Sequence, residues 1–280
     1  RRQRQMCIRD RDIRSYIKTK KKIIDKALDG YLPSARTKPA ELHKAIRYSV
    51  FSGGKRIRPV LTIACFEACN GRGNSILPVA CAMELIHTYT LVHDDLPCMD
   101  DDDFRRGRSS CHKKFSEAIA LLTGDALLTS GFQCLSGSGN IDIIREVAVA
   151  VGSQGTIGGQ AVDIESRSAN RVAHSVELDY IAGNKTAALF EAACKAGAIF
   201  SKAGKEKTRA LGDFGKNLGM TFQMVDDLMD KDGYVKAYGE PRVKKMARLF
   251  TDRAKESLKI FGKSGEKLSE IAGLILLRKS

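Results

Sequence analysis

Apolar residues recur at helical spacing along nearly the whole chain, and no stretch alternates strictly as a half-buried strand would. Ile13, Ile17, Ile23, Ile24, Ala27 and Leu28 predict a first amphipathic helix, which Gly30 and Pro33 close. Ala40 to Phe51 predicts a second helix ending at Ser52-Gly53-Gly54. Pro59 falls where the next one starts and its missing N–H costs nothing, so that helix runs on from Val60 to Asn70. A helix over Ile76 to Asp95 leads into an acidic stretch, and further helices are expected over 113–135, 141–166, 175–201, 206–230, 240–261 and 264–278. The segments 136–140 and 166–170 have turn composition, and none is long enough to link separate domains. Small residues from Gly152 to Ala161 predict a helix pressed closely against a neighbour. The expectation is an all-α chain: one domain of about ten helices over residues 13–280, after a basic extension over 1–12 that reads as disordered.

Composition narrows the class without fixing it. With 43% hydrophobic and 29% charged residues in 280, the balance is that of an ordinary globular chain. No apolar run approaches the length of a membrane span, and 1–12 lacks the apolar core of a signal peptide. The net charge of +14 permits nucleic-acid binding, yet the 47 Lys and Arg are scattered, Trp is absent, and no recognition motif appears. Nucleic acid is therefore not the expected partner; an anionic small substrate accounts for a basic cleft equally well. Eight cysteines without a CxxC pair point to free thiols in a reducing, cytoplasmic setting. Zinc is disfavoured, since Cys111-His112 has no matching second pair.

The chemistry concentrates in Leu91–Arg106, LVHDDLPCMDDDDFRR, where six aspartates fall within ten positions. So many carboxylates repel one another unless cations sit among them, and divalent metal shared with a polyphosphate is the obvious candidate. Asp94 and Asp100 would diverge by roughly 120° on a regular helix, but Pro97 breaks the helix and lets Asp100 turn back toward Asp94. A second cluster lies at Phe222–Asp232, where Asp226 and Asp230, four apart, share one helix face. Two such clusters outline a magnesium–diphosphate site.

A cationic complement is present. Gly53-Gly54-Lys55-Arg56-Ile57-Arg58-Pro59 puts glycines and cations at a helix start, which favours an anion, although a basic turn alone is more often solvated. Arg105 and Arg106 read either as phosphate ligands or as local charge neutralisation. Lys185 and Thr186 offer an ammonium and a hydroxyl, Gln223 lies three residues before Asp226, and His87 seven before Asp94, though a lone helical His is more often core.

The order GGKRIRP, ELIHTYTLVHDDLPCMDDDDFRRG, LLTGDALL, GGQAVDIE, GNKTAALF and FQMVDDLMD resembles the trans-isoprenyl diphosphate synthases from about Gly30 onward. The resemblance implies antiparallel helices around a central cavity, a homodimer, and condensation of isopentenyl diphosphate with allylic diphosphates, dimethylallyl and geranyl. It implies that Asp94, Asp100, Asp226 and Asp230 hold three magnesium ions on the allylic diphosphate, with Asp95 and Asp227 supporting them. Arg105, Lys185, Thr186 and Gln223 would then contact that diphosphate, while Gly54, Lys55, Arg58, His87 and Arg106 would form the isopentenyl diphosphate site. Family enzymes set product length near Tyr89, five residues or about 7.5 Å of helix before Asp94, and a bulky aromatic there favours farnesyl over geranylgeranyl diphosphate.

One departure qualifies the resemblance. Family members carry a longer segment after the second motif, whereas Asp230 here runs through Lys231-Asp232-Gly233 straight into the next helix. That keeps a weakly active or non-catalytic prenyl synthase subunit among the alternatives, beside a geranylgeranyl diphosphate synthase. A terpene cyclase is disfavoured by GGKRIRP, because a cyclase binds only one diphosphate. Arg278-Lys279 is a candidate cover for isopentenyl diphosphate, and Lys231 a candidate replacement for missing lid residues.

Overall fold

The computed structural model describes residues 2–168 and 175–278; Lys279, part of the basic end considered above, and positions 169 and 170 of the expected turn lie outside the described residues. The described chain is built of α-helices: α1 Arg2–Tyr31, α2 Ala40–Phe51, α3 Ile57–Ala68, α4 Leu77–Asp94, α5 Cys111–Lys114, α6 Glu117–Ser136, α7 Ile141–Val151, α8 Thr156–Ser168, α9 Ser175–Ile181, α10 Ala188–Phe200, α11 Lys205–Asp230, α12 Tyr234–Tyr238, α13 Glu240–Ser257 and α14 Glu266–Leu276. One π turn, Ala182–Ala187, joins α9 to α10, and a 3-10 segment, Lys259–Gly265, joins α13 to α14.

Four expected boundaries move for local reasons. The helix expected over 141–166 is two, α7 and α8, because 152–155 is a turn: a Cβ on Gly155 would lie 2.1 Å from the Ala150 carbonyl oxygen. The helix expected from 113 is α5 followed by α6, where the Ser116 hydroxyl caps the new start by accepting from the Ile119 N–H at 3.2 Å. The one expected over 175–201 widens into the π turn, and the one expected over 240–261 stops at Ser257, with Gly262 at φ +52 beyond it. A pair of two-residue strands, β1 Phe104–Arg105 and β2 Arg108–Ser109, was not expected at all. They pair antiparallel around Arg106-Gly107, both at positive φ, 55° and 74°. That is the backbone of a primed two-residue hairpin turn.

Two compact units make up the chain, one of residues 18–60 and 74–140, the other of 1–17, 61–73 and 141–280. In the first, α4 is apolar nearly all round and packs on α6 through glycine: a Cβ on Gly131 would lie 2.6 Å from Ile86 Cγ1. Arg56 is buried beside α4, donating to Glu84 at 2.6 Å and Asp25 at 2.9 Å. A buried charge survives only when paired in this way.

In the second unit α11 packs on both α10 and α13. Gly215 and Gly219 give the close approach to α10 and its preceding turn, since their Cβ atoms would lie 2.6 Å from the Phe190 oxygen and 2.5 Å from Ala187 Cα. On its other side Met220, Met224 and Val225 bury against Tyr234, Val243 and Ala247. The close contact expected of the small residues in α8 is present: a Cβ on Gly159 would lie 2.2 Å from the Lys185 backbone nitrogen.

Among the described residues one helix, α6, is long and apolar enough to cross a membrane by length and composition, contrary to the expectation that no run approaches that length. It packs on α4 and α2, and core helices pass the same test.

Candidate active site

In the first unit, α4 ends at Asp94, and the backbone then folds back on itself. The Leu96 N–H bonds to His93 O at 3.1 Å, Met99 N–H to Leu96 O at 2.8 Å, and Asp100 N–H to Asp94 O at 2.8 Å. The last of these returns Asp100 to the helix end, as Pro97 predicts. Asp94 and Asp100 are both half-buried.

Asp95 takes another part. It is buried and accepts from Arg105 Nε at 2.8 Å and Nη2 at 2.5 Å, while Arg105 also reaches Asp102 at 2.6 Å. Burial pushes the Asp95 carboxyl up, and the pull of Arg105 does not fully offset it. Asp95 is therefore an anchor for β1 rather than an open carboxylate.

The hairpin turn throws Arg106 the other way. Its Nη1 donates to Gly53 O at 2.8 Å, and its guanidinium packs so near Gly54 that a Cβ there would lie 2.7 Å from it. Gly53 and Gly54, at φ +113 and +104, adopt backbone that only glycine takes readily. Arg58 is buried and His87 half-buried in the same unit. Burial, then the positive charges of Arg58 and Arg106, hold the His87 imidazole well below its usual range, so it is neutral at pH 7. Lys55 is exposed. Arg56, amid the same basic turn, is paired with Glu84 and Asp25.

Below Asp94 on α4, Tyr89 is buried and its hydroxyl has no hydrogen-bond partner. Burial, then the Asp94 charge, push that phenol up to about 12. His93, edge-on to Tyr89 at 5.8 Å, rests where Gly124 leaves room; a Cβ on Gly124 would lie 2.0 Å from its Nε2. The role of the LLTGDALL glycine was invisible without the packing.

In the second unit α11 ends at Asp230, with Lys231 in the left-handed conformation stopping it. Asp226 is half-buried and pairs with Arg278 at 2.7 Å; Asp230 is exposed. Lys231 is exposed as well, beyond the helix end.

Asp227 points into the protein instead. It accepts from Gln223 Nε2 at 2.8 Å and from the Tyr234 N–H at 2.8 Å, and it covers Gly233 so closely that a Cβ would lie 2.3 Å from Oδ2. Burial pushes its carboxyl up despite these donors. The segment after the motif is thus folded tightly on Asp227.

Lys185 and Thr186 sit on the π turn, a device common at functional sites. Lys185 Nζ donates to Asp163 at 2.6 Å, and Arg167 shares that carboxylate. Burial raises the Asp163 carboxyl, but the two cations outweigh it and hold it below its usual range. Thr186 Oγ1 donates to Gln223 Oε1 at 2.7 Å, which extends a chain Thr186–Gln223–Asp227–Tyr234. Asp163, which aims Lys185, went unrecognised in the sequence because it lies 22 positions away with no motif spacing to link them.

Each unit thus carries a pair of motif carboxylates at a helix end, a tethered third carboxylate and cations. Comparison with known proteins bears on what such sites do. A family model described as polyprenyl synthetase matches residues 39–246. The heterodimeric geranylgeranyl pyrophosphate synthase large subunit 1 of Arabidopsis thaliana is 43% identical over 229 residues, 78% of this chain and 61% of that protein. The farnesyl diphosphate synthase of Geobacillus stearothermophilus is 39% identical over 237 residues, 82% of this chain and 79% of that one. An apo crystal structure of a FPP/GFPP synthase from Zymomonas mobilis superposes with a TM-score of 0.91 at 32% identity, covering 95% of this chain and 99% of that chain. This chain therefore spans less than two thirds of the Arabidopsis relative's length.

Proposed function

The chain belongs to the polyprenyl synthetase family and has the all-α isoprenoid synthase fold, and from that premise we propose that it is a magnesium-dependent short-chain prenyltransferase. The reaction joins isopentenyl diphosphate head-to-tail to dimethylallyl and geranyl diphosphate, with farnesyl diphosphate as product. One observation carries this reading beyond the likeness. Both motif carboxylate pairs lie at or just beyond the C-terminal ends of helices, Asp94 and the returning Asp100 at α4, Asp226 and Asp230 at α11. A helix C-terminus carries partial negative charge, so each carboxylate there costs roughly 0.3–1 kcal/mol. Bound cations reverse that cost.

The donor set fits magnesium. Asp95 and Asp227 are committed to Arg105 and to the Tyr234 turn, while Asp94, Asp100, Asp226 and Asp230 offer hard oxygen donors at half-buried or exposed positions. We assign Asp94, Asp100, Asp226 and Asp230 as the ligands, for three ions. Magnesium, when bound, stabilises negative charge on the allylic diphosphate and lowers the cost of breaking its C–O bond.

The chain's own groups supply the rest. Lys185, aimed by Asp163, and Thr186, fixed by Gln223, contact the allylic diphosphate, as does Arg105 held on Asp95. Gly54, Lys55, Arg58, His87 and Arg106 take isopentenyl diphosphate. Apolar side chains such as Tyr89 keep water from the allylic cation. No side chain is assigned as the general base, and the departing diphosphate takes the proton.

The buried Tyr89 ring supports the fifteen-carbon product over geranylgeranyl diphosphate. A homodimer is proposed from the family resemblance. A reducing, cytoplasmic setting is proposed on the eight cysteines without a CxxC pair. Incubating the purified chain with magnesium, isopentenyl diphosphate and each allylic starter, then separating the dephosphorylated alcohols, tests the reading. A fifteen-carbon alcohol is expected; a twenty-carbon one assigns the alternative product, and no condensation favours a non-catalytic subunit.

A further inference from the structure

The acidic loop after Asp100 holds a constellation that the prenyl-transfer reading leaves unused. Asp103 O accepts the Ser110 N–H at 2.9 Å, which ties the start of α5 to the loop. His112, the second residue of α5, is 7% exposed. Its Nδ1 lies 3.1 Å from Ser110 Oγ, and its Nε2 is buried with no hydrogen-bond partner. That nitrogen is aimed at Asp101 Oδ1, 3.9 Å away, and one ligand atom each of Asp101, Asp103 and His112 lie within 4.8 Å of one another.

A separation of 3.9 Å is too long for a hydrogen bond. It suits two ligands of one ion, since donors each about 2.0–2.2 Å from a metal lie up to about 4.4 Å apart. Asp101 and Asp103 are exposed at 61% of their side chains, so both are free to turn the remaining fraction of an ångström. A buried imidazole nitrogen without a partner is costly, and its other nitrogen is already oriented by Ser110, as ligating histidines usually are.

We propose that Asp101, Asp103 and His112 form a divalent transition-metal site distinct from the four magnesium aspartates. One imidazole, two carboxylates and a side open to water select zinc or a similar borderline ion over magnesium, which prefers oxygen alone. Lys113 Nζ, 2.8 Å from Asp103, holds the place of positive charge when the metal is absent and competes with it. The ion clasps the acidic loop to α5, the two segments flanking the hairpin that carries Arg105 and Arg106. Cysteine played no part in this set, so the zinc reading that Cys111-His112 alone did not support is restored by aspartates.

The site stands apart from the prenyl-transfer reading and is tested without turnover. Chelator-stripped protein is titrated with zinc in a calorimeter, with millimolar magnesium present to fill oxygen-only sites. One zinc equivalent is expected, weakened at least about tenfold by Asp101→Asn and by His112→Gln, and tightened by Lys113→Met. Asp94→Asn and Asp226→Asn leave it in place. Asp101 and Lys113 are surface residues, so those two variants decide even if His112→Gln folds poorly. Absence of a zinc equivalent, one that survives Asp101→Asn unchanged, or one abolished by Cys98→Ser instead, overturns the proposal.

Discussion

Neighbouring aspartates in the second motif should separate chemistry from architecture, and Asp226→Ala against Asp227→Ala is the sharpest comparison. Removing the Asp227 carboxylate strips the acceptor from the buried Tyr234 N–H and from the Gln223 amide, both at 2.8 Å. Each donor left unsatisfied costs about 1–3 kcal/mol, so the variant should lose roughly 2–6 kcal/mol. For a chain of this size that corresponds to a fall in melting temperature on the order of 5–15 °C. Asp226 by contrast gives up one partly exposed ion pair with Arg278, worth about 0–1 kcal/mol. Loss of a negative charge near the C-terminal end of α11 returns about 0.3–1 kcal/mol, so its melting temperature should barely move. Scanning calorimetry reads the stabilities, and product formation with saturating magnesium reads the chemistry. Asp226→Ala should lose at least about a hundredfold in turnover while folding normally, as an interaction worth several kcal/mol in the transition state requires. An Asp227→Ala protein as stable as the parent, or an Asp226→Ala protein with parental turnover, would refute the division of labour.

Other expected outcomes follow from the same geometry. Tyr89→Ala should lengthen the main product beyond fifteen carbons, and an unchanged alcohol profile would remove Tyr89 as the floor. His87→Gln should flatten the fall in stability on acidification. The folded imidazole resists protonation, so the unfolded chain binds more protons below its ordinary pKa near 6.5. Stability is then lost as pH drops through that value, by up to about 1.4 kcal/mol per pH unit. Denaturant melts of both proteins between pH 5 and 7 check this, and parallel slopes would contradict it. Gly219→Ala should destabilise by about 1–3 kcal/mol before the roughly 1 kcal/mol that alanine returns in a helix, since its Cβ would meet Ala187 Cα at 2.5 Å. A rise in melting temperature would show that α10 and α11 yield there.

Periodicity made the helices legible, because each buries one face and few positions require another conformation. The return of Asp100 was legible too, since Pro97 removes a donor at a known place. What escaped the sequence depends on contacts between distant residues. Gly152–Gly155 fits a close helix contact as well as a turn, and only the Ala150 carbonyl decides between them. Arg106-Gly107 makes a hairpin in a stretch whose charges drew attention to chemistry rather than to backbone. Asp95 and Asp227 look like their neighbours in DD pairs, yet helical rotation turns each inward, to Arg105 and to Tyr234 N–H respectively. The sequence does not reveal which aspartate of a pair is committed until the partner's position is known.

The most direct test of the central claim is condensation by the purified chain alone. With magnesium, isopentenyl diphosphate and geranyl diphosphate, a fifteen-carbon alcohol should appear after dephosphorylation, and it should vanish on chelation or in Asp94→Ala. Absence of any elongated product from the folded wild-type chain, or undiminished product from Asp94→Ala, would contradict it.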